Sequence, residues 1–299
     1  MLVNGQTQSS YYTTFAQKKK VTTRASLCYH GEKGECAVRL GLSTAAFYGR
    51  WETEEAAARL SRLPIDCAEA FLQTPGEYGA DFGALVKQRL GSIPCTSVHP
   101  LGTQFESQLH GRSPRQRRDA LDVLRRVLDA AAALGAGVYV YHGRSTPLLS
   151  PLPWNLPDNL AVLSVMRKEA APRGVTIAWE NVCWCQLTTV QRVREARTAA
   201  PELRFTLDIK QAMRAGEDPV DMAHAMGEGL CNVHVCDWDA QGKLCLPGEG
   251  VFDFAALFRA LREIGYRGPV ILEPYLALIG SDEALLRALS HLRACMKTD

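Results

Sequence analysis

The sequence has no apolar stretch near the roughly 18 residues that a membrane-spanning helix requires. It also has no hydrophobic segment of the signal-peptide kind near its beginning, so we expect neither membrane insertion nor secretion. Charges nearly balance, with 34 Lys and Arg against 32 Asp and Glu, which gives no electrostatic reason to expect a nucleic-acid partner. We therefore expect a cytoplasmic protein that acts without nucleic acid or membrane.

Several common motifs are absent as well. No GxGxxG follows the first predicted strand and no Walker loop occurs, which disfavours a nucleotide-binding open sheet. The ten cysteines lack the paired CxxC spacing of structural zinc sites. Cys67, Cys95 and Cys231 lie inside apolar runs, so we interpret them as small buried side chains in a reducing compartment.

The chain divides into two parts by composition. Residues 1–36 are rich in Ser, Thr, Gln and Lys and contain no acidic residue before Glu32. This composition predicts a flexible N-terminal tail, although a transit peptide would look similar. From residue 37 to residue 299, short apolar runs alternate with helical patterns, and this part is expected to form the folded domain.

Eight predicted strands alternate with helices in that second part. The strands span residues 37–43, 65–72, 95–100, 137–142, 175–181, 203–208, 230–235 and 269–274. Strict alternation indicates a parallel sheet, and eight units in about 260 residues match the size of a closed barrel. The predicted fold class is α/β, a single (β/α)8 TIM barrel, with a doubly wound open sheet as the alternative.

Capping residues mark several helix ends. Ser113 precedes the clearest predicted helix, and Gly135 follows it. Thr188 and Gln191 have the spacing of a capping box for the helix after strand five. Asp253 is expected to cap the helix after strand seven.

Polar residues stand at the ends of four consecutive predicted strands, five to eight: Glu180, Asp208, His234 and Glu273. Because the carboxyl ends of barrel strands meet on one face, these side chains should converge. Three carboxylates and one imidazole suit one divalent ion, with Mn2+, Mg2+ or Co2+ favoured over Zn2+. The alternative is that strand-end acids are solvated or cap the following helix.

The order and spacing of these motifs resemble the xylose isomerase-like barrels, a family that contains sugar phosphate isomerases and epimerases, sugar 3-epimerases, inosose dehydratases and the endonuclease IV group. The resemblance rests on Glu180 in AWEN, Asp208 in LDIKQ, His234 in HVCD, the PGEG loop at Pro247–Gly250 and Glu273 in LEPY. It implies a TIM barrel over about residues 37–296.

The resemblance also implies a chemistry. The same four residues would hold one divalent ion, most often Mn2+ in sugar-active relatives, and Glu180 and Glu273 would act on substrate protons. One carboxylate would remove the α-proton of a chelated hydroxy-carbonyl compound, and the other would return it to the opposite face of the enediolate. Epimerisation or aldose–ketose isomerisation would follow.

Candidate substrate contacts come from other positions: His99, His142, Lys210 and Gln211. The two histidines match substrate-contacting positions of sugar-active relatives and two zinc positions of the DNA-repair branch, with a structural role as the alternative. Sugar-active relatives usually carry a histidine where this chain has Gln211, which can hydrogen-bond but cannot titrate. Lys210 and Arg144 could bind a phosphate or carboxylate, whereas an exposed base is the alternative.

The segment after strand seven has several interpretations. Asp237 is expected to orient His234 or a loop, or to be solvated. The PGEG loop offers backbone N–H groups to an anion.

The sequence therefore predicts a metal-dependent sugar or sugar phosphate isomerase or epimerase that acts on a small-molecule carbohydrate. A dehydratase on a polyol or keto-sugar is the nearest alternative, because the same enediolate can lose hydroxide. An endonuclease on abasic DNA is less expected, since three zinc ligands of that branch are missing, and a non-catalytic sugar-binding barrel is the last alternative. Self-association into a homo-oligomer stays open.

Overall fold

The structure is a computed structural model that describes residues 38–101, 103–146 and 153–298. The tail predicted for residues 1–36 lies outside the described residues, as does residue 37 of the first predicted strand. The boundary between tail and barrel therefore stays a prediction. None of the helices in the described part has both the length and the apolar character that crossing a membrane requires.

The strands form a closed barrel. The described residues contain β1 (Arg39–Ser43), β2 (Cys67–Leu72), β3 (Cys95–Pro100), β4 (Val138–Tyr141), β5 (Thr176–Glu180), β6 (Arg204–Asp208), β7 (Leu230–Val235), β8 (Asp237–Trp238), β9 (Leu244–Cys245) and β10 (Pro269–Leu272). Eight of them close in the order β1-β10-β7-β6-β5-β4-β3-β2, with parallel neighbours. The predicted TIM barrel is confirmed, and the open-sheet alternative is wrong.

Helices connect the strands on the outside. They are α1 (Thr53–Leu60), α2 (Ala80–Leu90), α3 (Thr103–Leu109), α4 (Pro114–Leu134), α5 (Leu156–Ala170), α6 (Val190–Ala199), α7 (Ile209–Arg214), α8 (Pro219–Met226), α9 (Phe254–Glu263) and α10 (Asp282–Met296). The short helices α3 and α7 and the antiparallel pair β8–β9 were not predicted. Each is too short for hydrophobic periodicity to reveal it.

The capping predictions have mixed outcomes. Ser113 and Asp253 cap α4 and α9 as expected, and Gly135 ends α4 in a left-handed conformation with φ of 88°. The capping box at Thr188 is wrong by one residue, because Thr189 Oγ1 accepts the backbone N–H of Arg192. Thr188 Oγ1 instead accepts a hydrogen bond from the Arg192 guanidinium.

The barrel strands are buried on both faces, as a parallel sheet between helices and a barrel interior requires. The eight described cysteines are all free; Cys67 and Cys95 are buried as expected, and Cys231 is half-buried. Polar residues are buried among the strands too. Asn232 on β7 donates from Nδ2 to Glu69 Oε2 on β2, although these strands are not neighbours, so the contact crosses the barrel interior.

A glycine allows α2 to pack closely on α4. A Cβ at Gly83 would lie 2.2 Å from the carbonyl oxygen of Ala130. Alanine favours a helix over glycine by about 1 kcal/mol, but the overlap with rigid backbone should reverse that sign. We expect Gly83→Ala to lower the free energy of unfolding by about 1–3 kcal/mol, measured by denaturant titration.

Gly280→Ala is the matched control, because no atom lies within 4 Å of its added Cβ. It should leave stability nearly unchanged. A Gly83→Ala protein at least as stable as wild type would show that α2 and α4 pack more loosely than described.

Candidate active site

The four predicted metal ligands meet at the carboxyl ends of their strands. Glu180 and Asp208 end β5 and β6, His234 lies one residue before the end of β7, and Glu273 follows β10. The backbone N–H of Glu273 donates to the Val235 carbonyl at 2.9 Å, which aligns β10 with β7. All four residues are buried, at most 7% exposed. The convergence is as expected, and the solvated alternative is wrong for these acids.

His234 lies at the centre of this cluster. Its Nδ1 atom is 3.0 Å from Glu180 Oε1 and 3.5 Å from Glu273 Oε2. Its Nε2 atom is 2.9 Å from Glu69 Oε2 on the other side of the ring. The imidazole therefore has one nitrogen toward the predicted ligands and one nitrogen toward a fourth carboxylate.

Glu69 is a residue of the cluster that was not predicted from the sequence. It lies inside β2, fully buried, where Ser97 Oγ donates to Oε2 at 2.7 Å, while Oε1 has no hydrogen-bond partner. A carboxylate that accepts from Nε2 of a histidine fixes the tautomer and leaves Nδ1 free to bind a metal. The signal in the sequence was a charged residue within a strand that is otherwise apolar.

Carboxylates and imidazoles in this centre shift the pKa values of one another. Burial lowers the pKa of His234, but Glu69, Glu273 and Glu180 outweigh burial and raise this pKa well above its ordinary value. Burial raises the pKa of Glu69 and Glu180, and the neighbouring histidines reverse the shift and lower both values. A divalent ion bound at Nδ1 would supply the same compensation without a proton on that nitrogen.

The two candidate substrate histidines flank the cluster. His99 Nε2 and His142 Nε2 lie 2.6 Å apart. His99 Nδ1 is 3.2 Å from Glu273 Oε1, and His142 Nε2 is 3.3 Å from Glu180 Oε2. Burial lowers the pKa of His99, but Glu273, Glu69 and Glu180 raise it to about 10. Both rings thus contact the predicted proton-transfer carboxylates.

A further carboxylate comes from the unpredicted helix α3. Glu106 is fully buried; its Oε2 accepts the backbone N–H of His142 at 3.1 Å, and its Oε1 accepts the Tyr139 hydroxyl at 2.8 Å. His142 Nδ1 lies 3.5 Å from the same Glu106 Oε2. Glu106 therefore holds the end of β4 and the His142 ring in place.

Lys210 is buried rather than exposed, so the exposed-base alternative is wrong for this residue. Its Nζ atom donates to Asp208 Oδ2 at 2.5 Å and also to Glu273 Oε2. Burial lowers the pKa of Lys210, and Asp208 and Glu273 raise it well above its ordinary value. Arg144 pairs with a different acid: its Nη1 atom lies 3.8 Å from Asp158 Oδ2.

Gln211 lies beside the cluster and holds a loop. Its Oε1 atom accepts the backbone N–H of Cys183 at 3.4 Å, and its own backbone N–H donates to Asp208 Oδ1 at 3.1 Å. Asp208 Oδ1 thereby caps α7. For this oxygen the alternative that a strand-end acid caps the following helix is correct. Asn181 fixes the same strand end through two bonds to the Asp208 backbone, at 2.8 and 2.9 Å.

Asp237 organises the loop after β7. Its two carboxylate oxygens accept the backbone N–H groups of Trp238, Gly248, Gly250 and Phe252. Asp237 therefore orients a loop, which is one of its predicted roles. Two of its donors, the N–H groups of Gly248 and Gly250, belong to the PGEG loop. The expectation that these two amides are available to an anion is therefore wrong.

Within the described residues, three groups have donor atoms close enough to hold a metal ion. They are Glu180, Asp208 and His234; Glu69, His99, His234 and Glu273; and His99, His142 and Glu180. Buried carboxylates and imidazoles are suitable ligands for Mn2+ or Zn2+. Three of the four predicted ligands, Glu180, Asp208 and His234, form one of these groups and fit such an ion, and Glu69 holds the opposite nitrogen of His234. Glu273 belongs to a different group, although its Oε2 atom lies 3.5 Å from His234 Nδ1.

Comparison with known proteins identifies the family. The model of the xylose isomerase-like TIM barrels matches residues 54–295. The chain therefore belongs to this family, and the resemblance inferred from the strand-end motifs is confirmed.

Individual relatives include one without an assigned activity and several enzymes. An uncharacterized protein of Mycobacterium tuberculosis is 28% identical over 271 residues, which cover 79% of this chain and 89% of the relative. A ketose 3-epimerase of Arthrobacter globiformis is 24% identical over 76% of this chain and 77% of the enzyme. A 3-dehydroshikimate dehydratase of Pseudomonas aeruginosa is 31% identical, but over 40% of this chain and 20% of the dehydratase.

Solved structures agree on the fold. A D-psicose 3-epimerase of Clostridium cellulolyticum superposes with a TM-score of 0.72 at 16% identity, over 87% of this chain and 100% of the epimerase. At this identity the likeness shows the shared barrel alone.

Removal of the Glu69 charge should weaken metal binding. Glutamine keeps one acceptor oxygen but has no negative charge, and its amide NH2 can face His234 Nε2 instead, which would favour the tautomer with the proton on Nδ1. We expect Glu69→Gln to bind Mn2+ about 10- to 100-fold more weakly than wild type, measured by calorimetric titration.

The control is Glu77→Gln, another buried carboxylate, which bonds Thr53 and the backbone of Gln73 instead of a histidine. It should leave Mn2+ affinity unchanged. Equal Mn2+ affinity in Glu69→Gln and wild type would contradict the orienting role.

Proposed function

We propose that this chain is a divalent-metal-dependent epimerase or isomerase of a small carbohydrate or related hydroxy-carbonyl compound. The observation that carries the proposal is that Glu180, at the end of β5, and Glu273, directly after β10, both face Nδ1 of His234 within a buried cluster. Two carboxylates around one metal-binding atom can reach a bound substrate from two sides.

The residues proposed to hold the ion are Glu180, Asp208, His234 through Nδ1, and Glu273, with Mn2+ as the expected metal. When bound, the ion supplies a Lewis acid that polarises a substrate carbonyl and makes the adjacent proton easier to remove. Glu69 keeps the imidazole oriented toward the ion.

Glu180 and Glu273 are proposed to transfer the protons. Burial raises the pKa of Glu273, but Lys210, His234 and His99 lower it well below its ordinary value. The pKa of Glu180 is also lowered, so both carboxylates are ionised near neutral pH and either can accept a proton from carbon. A proton accepted on one face and returned from the other inverts the carbon between them.

A sugar-like substrate is supported by the site and by the relatives. His99 and His142 can donate to hydroxyl oxygens, and we retain Lys210 and Gln211 as proposed substrate contacts. The ketose 3-epimerase similarity covers 76% of this chain, whereas the dehydratase similarity covers 40% of it. Epimerisation is therefore preferred over dehydration.

Solvent-exchange experiments test the proton transfer. In heavy water the Mn2+-loaded protein should place deuterium on the carbon next to the carbonyl of its ketose substrate, observed by NMR. Glu180→Gln and Glu273→Gln should each slow this exchange by about 10²- to 10⁴-fold. Glu263→Gln changes an exposed acid on α9 and should leave the rate unchanged.

Other outcomes of this experiment would support other functions. A product lighter by one water would establish the dehydratase alternative. Exchange that persists in both glutamine variants would contradict the assigned acid–base pair. Specific sugar binding without exchange or product would favour the non-catalytic barrel.

A further inference from the structure

Lys210 contributes an ammonium group to the centre of a carboxylate cluster. The residue lies in the first turn of α7, and its side chain is 6% exposed. Its Nζ atom bonds both Asp208 Oδ2 and Glu273 Oε2, which belong to two of the four proposed metal ligands. The ammonium therefore bridges the same two carboxylates that a divalent ion would join.

The remaining oxygens of those carboxylates already have other partners. Asp208 Oδ1 accepts the backbone N–H of Gln211 at 3.1 Å, and Glu273 Oε1 lies 3.2 Å from His99 Nδ1. Glu273 Oε2, which Lys210 holds, is also the oxygen 3.5 Å from His234 Nδ1. An ion at Nδ1 would therefore approach oxygens that the ammonium occupies.

Two cations cannot share these oxygens without strong repulsion. Interactions between charges are large in a buried site, because little water screens them. We propose that Lys210 is an internal cation that competes with the divalent ion for Asp208 and Glu273, and that its ammonium leaves these oxygens when the ion binds. This inference rests on the proposed metal-dependent function.

The Lys210 ammonium also stabilises the folded cluster when no ion is bound. Glu69, Glu180, Asp208 and Glu273 are buried together, and a buried carboxylate without a cation strongly disfavours the folded state. Lys210 offsets part of this charge from within the chain. It therefore stabilises the ion-free protein and lowers the affinity for the ion through the same contacts.

Neutral variants separate these effects. Lys210→Met and Lys210→Gln remove the charge, and each should bind Mn2+ roughly 10- to 100-fold more tightly than wild type, since the ion no longer displaces an ion pair. Lys168→Met removes an exposed lysine on α5 and should leave affinity unchanged. The measurement is the dissociation constant for Mn2+, from paramagnetic resonance of free Mn2+. Equal or weaker binding in the neutral variants would overturn the proposal.

Thermal unfolding supplies a second measurement. In chelator, Lys210→Met should unfold at a lower temperature than wild type, and saturating Mn2+ should raise its transition more than it raises the wild-type transition. A smaller or equal rise would count against competition.

If neither variant folds, the wild-type protein still tests the idea. Reductive methylation followed by peptide mass spectrometry should find Lys210 protected in chelator and modified at saturating Mn2+. Equal protection in both conditions would overturn the displacement of the ammonium.

The outcomes also distinguish this inference from the proposed function. Wild type that binds Mn2+ as tightly as the Lys210 variants would refute competition and leave the metal-dependent function standing. Binding by the variants alone would support competition and contradict a metal-dependent wild type. Absence of Mn2+ binding in all proteins would refute both.

Discussion

Burial of negative charge at one end of the barrel is the constraint on which this site depends. Four carboxylates, Glu69, Glu180, Asp208 and Glu273, are almost inaccessible to solvent. A buried charge that lacks a partner costs several kcal/mol, so such a group persists only with compensating cations and hydrogen bonds. The histidines and Lys210 are that compensation, and they explain why the side chains around the barrel mouth form one connected network.

Parallel closure of the barrel brings this charge together. Side chains on β2, β3, β5, β6 and β7 and directly after β4 and β10 enter the cluster, although they are far apart in sequence. The contact between Glu69 on β2 and His234 on β7 crosses the interior and cannot form in an open sheet. The two short helices add two further charged side chains: α3 supplies Glu106 and α7 supplies Lys210. The barrel fold determines where the strand ends lie. The polar side chains at those ends determine which ligand the site can bind.

Much of this arrangement could be predicted from the sequence. Alternating strands and helices gave the barrel, and polar residues at strand ends indicated Glu180, Asp208, His234 and Glu273 as neighbours, because strand ends obey a simple geometric rule. Glu69 could not be placed in the same way, since its partner is decided by closure across the barrel. Lys210 was ambiguous, because a lysine after a strand is usually solvated, and only the turn of α7 capped by Asp208 brings its ammonium back to the cluster. Asp237 and the PGEG loop show the same limit, as a glycine loop reveals its amides but not which acceptor uses them.

We propose that one divalent ion binds where Glu180, Asp208, His234 and Glu273 converge. Anomalous diffraction from a crystal soaked in Mn2+, collected near the manganese edge, tests it most directly. We expect one strong peak in bonding contact with His234 Nδ1 and with oxygens of the three carboxylates. A map without a peak there, or with the ion bound to His99 and His142 alone, would contradict it.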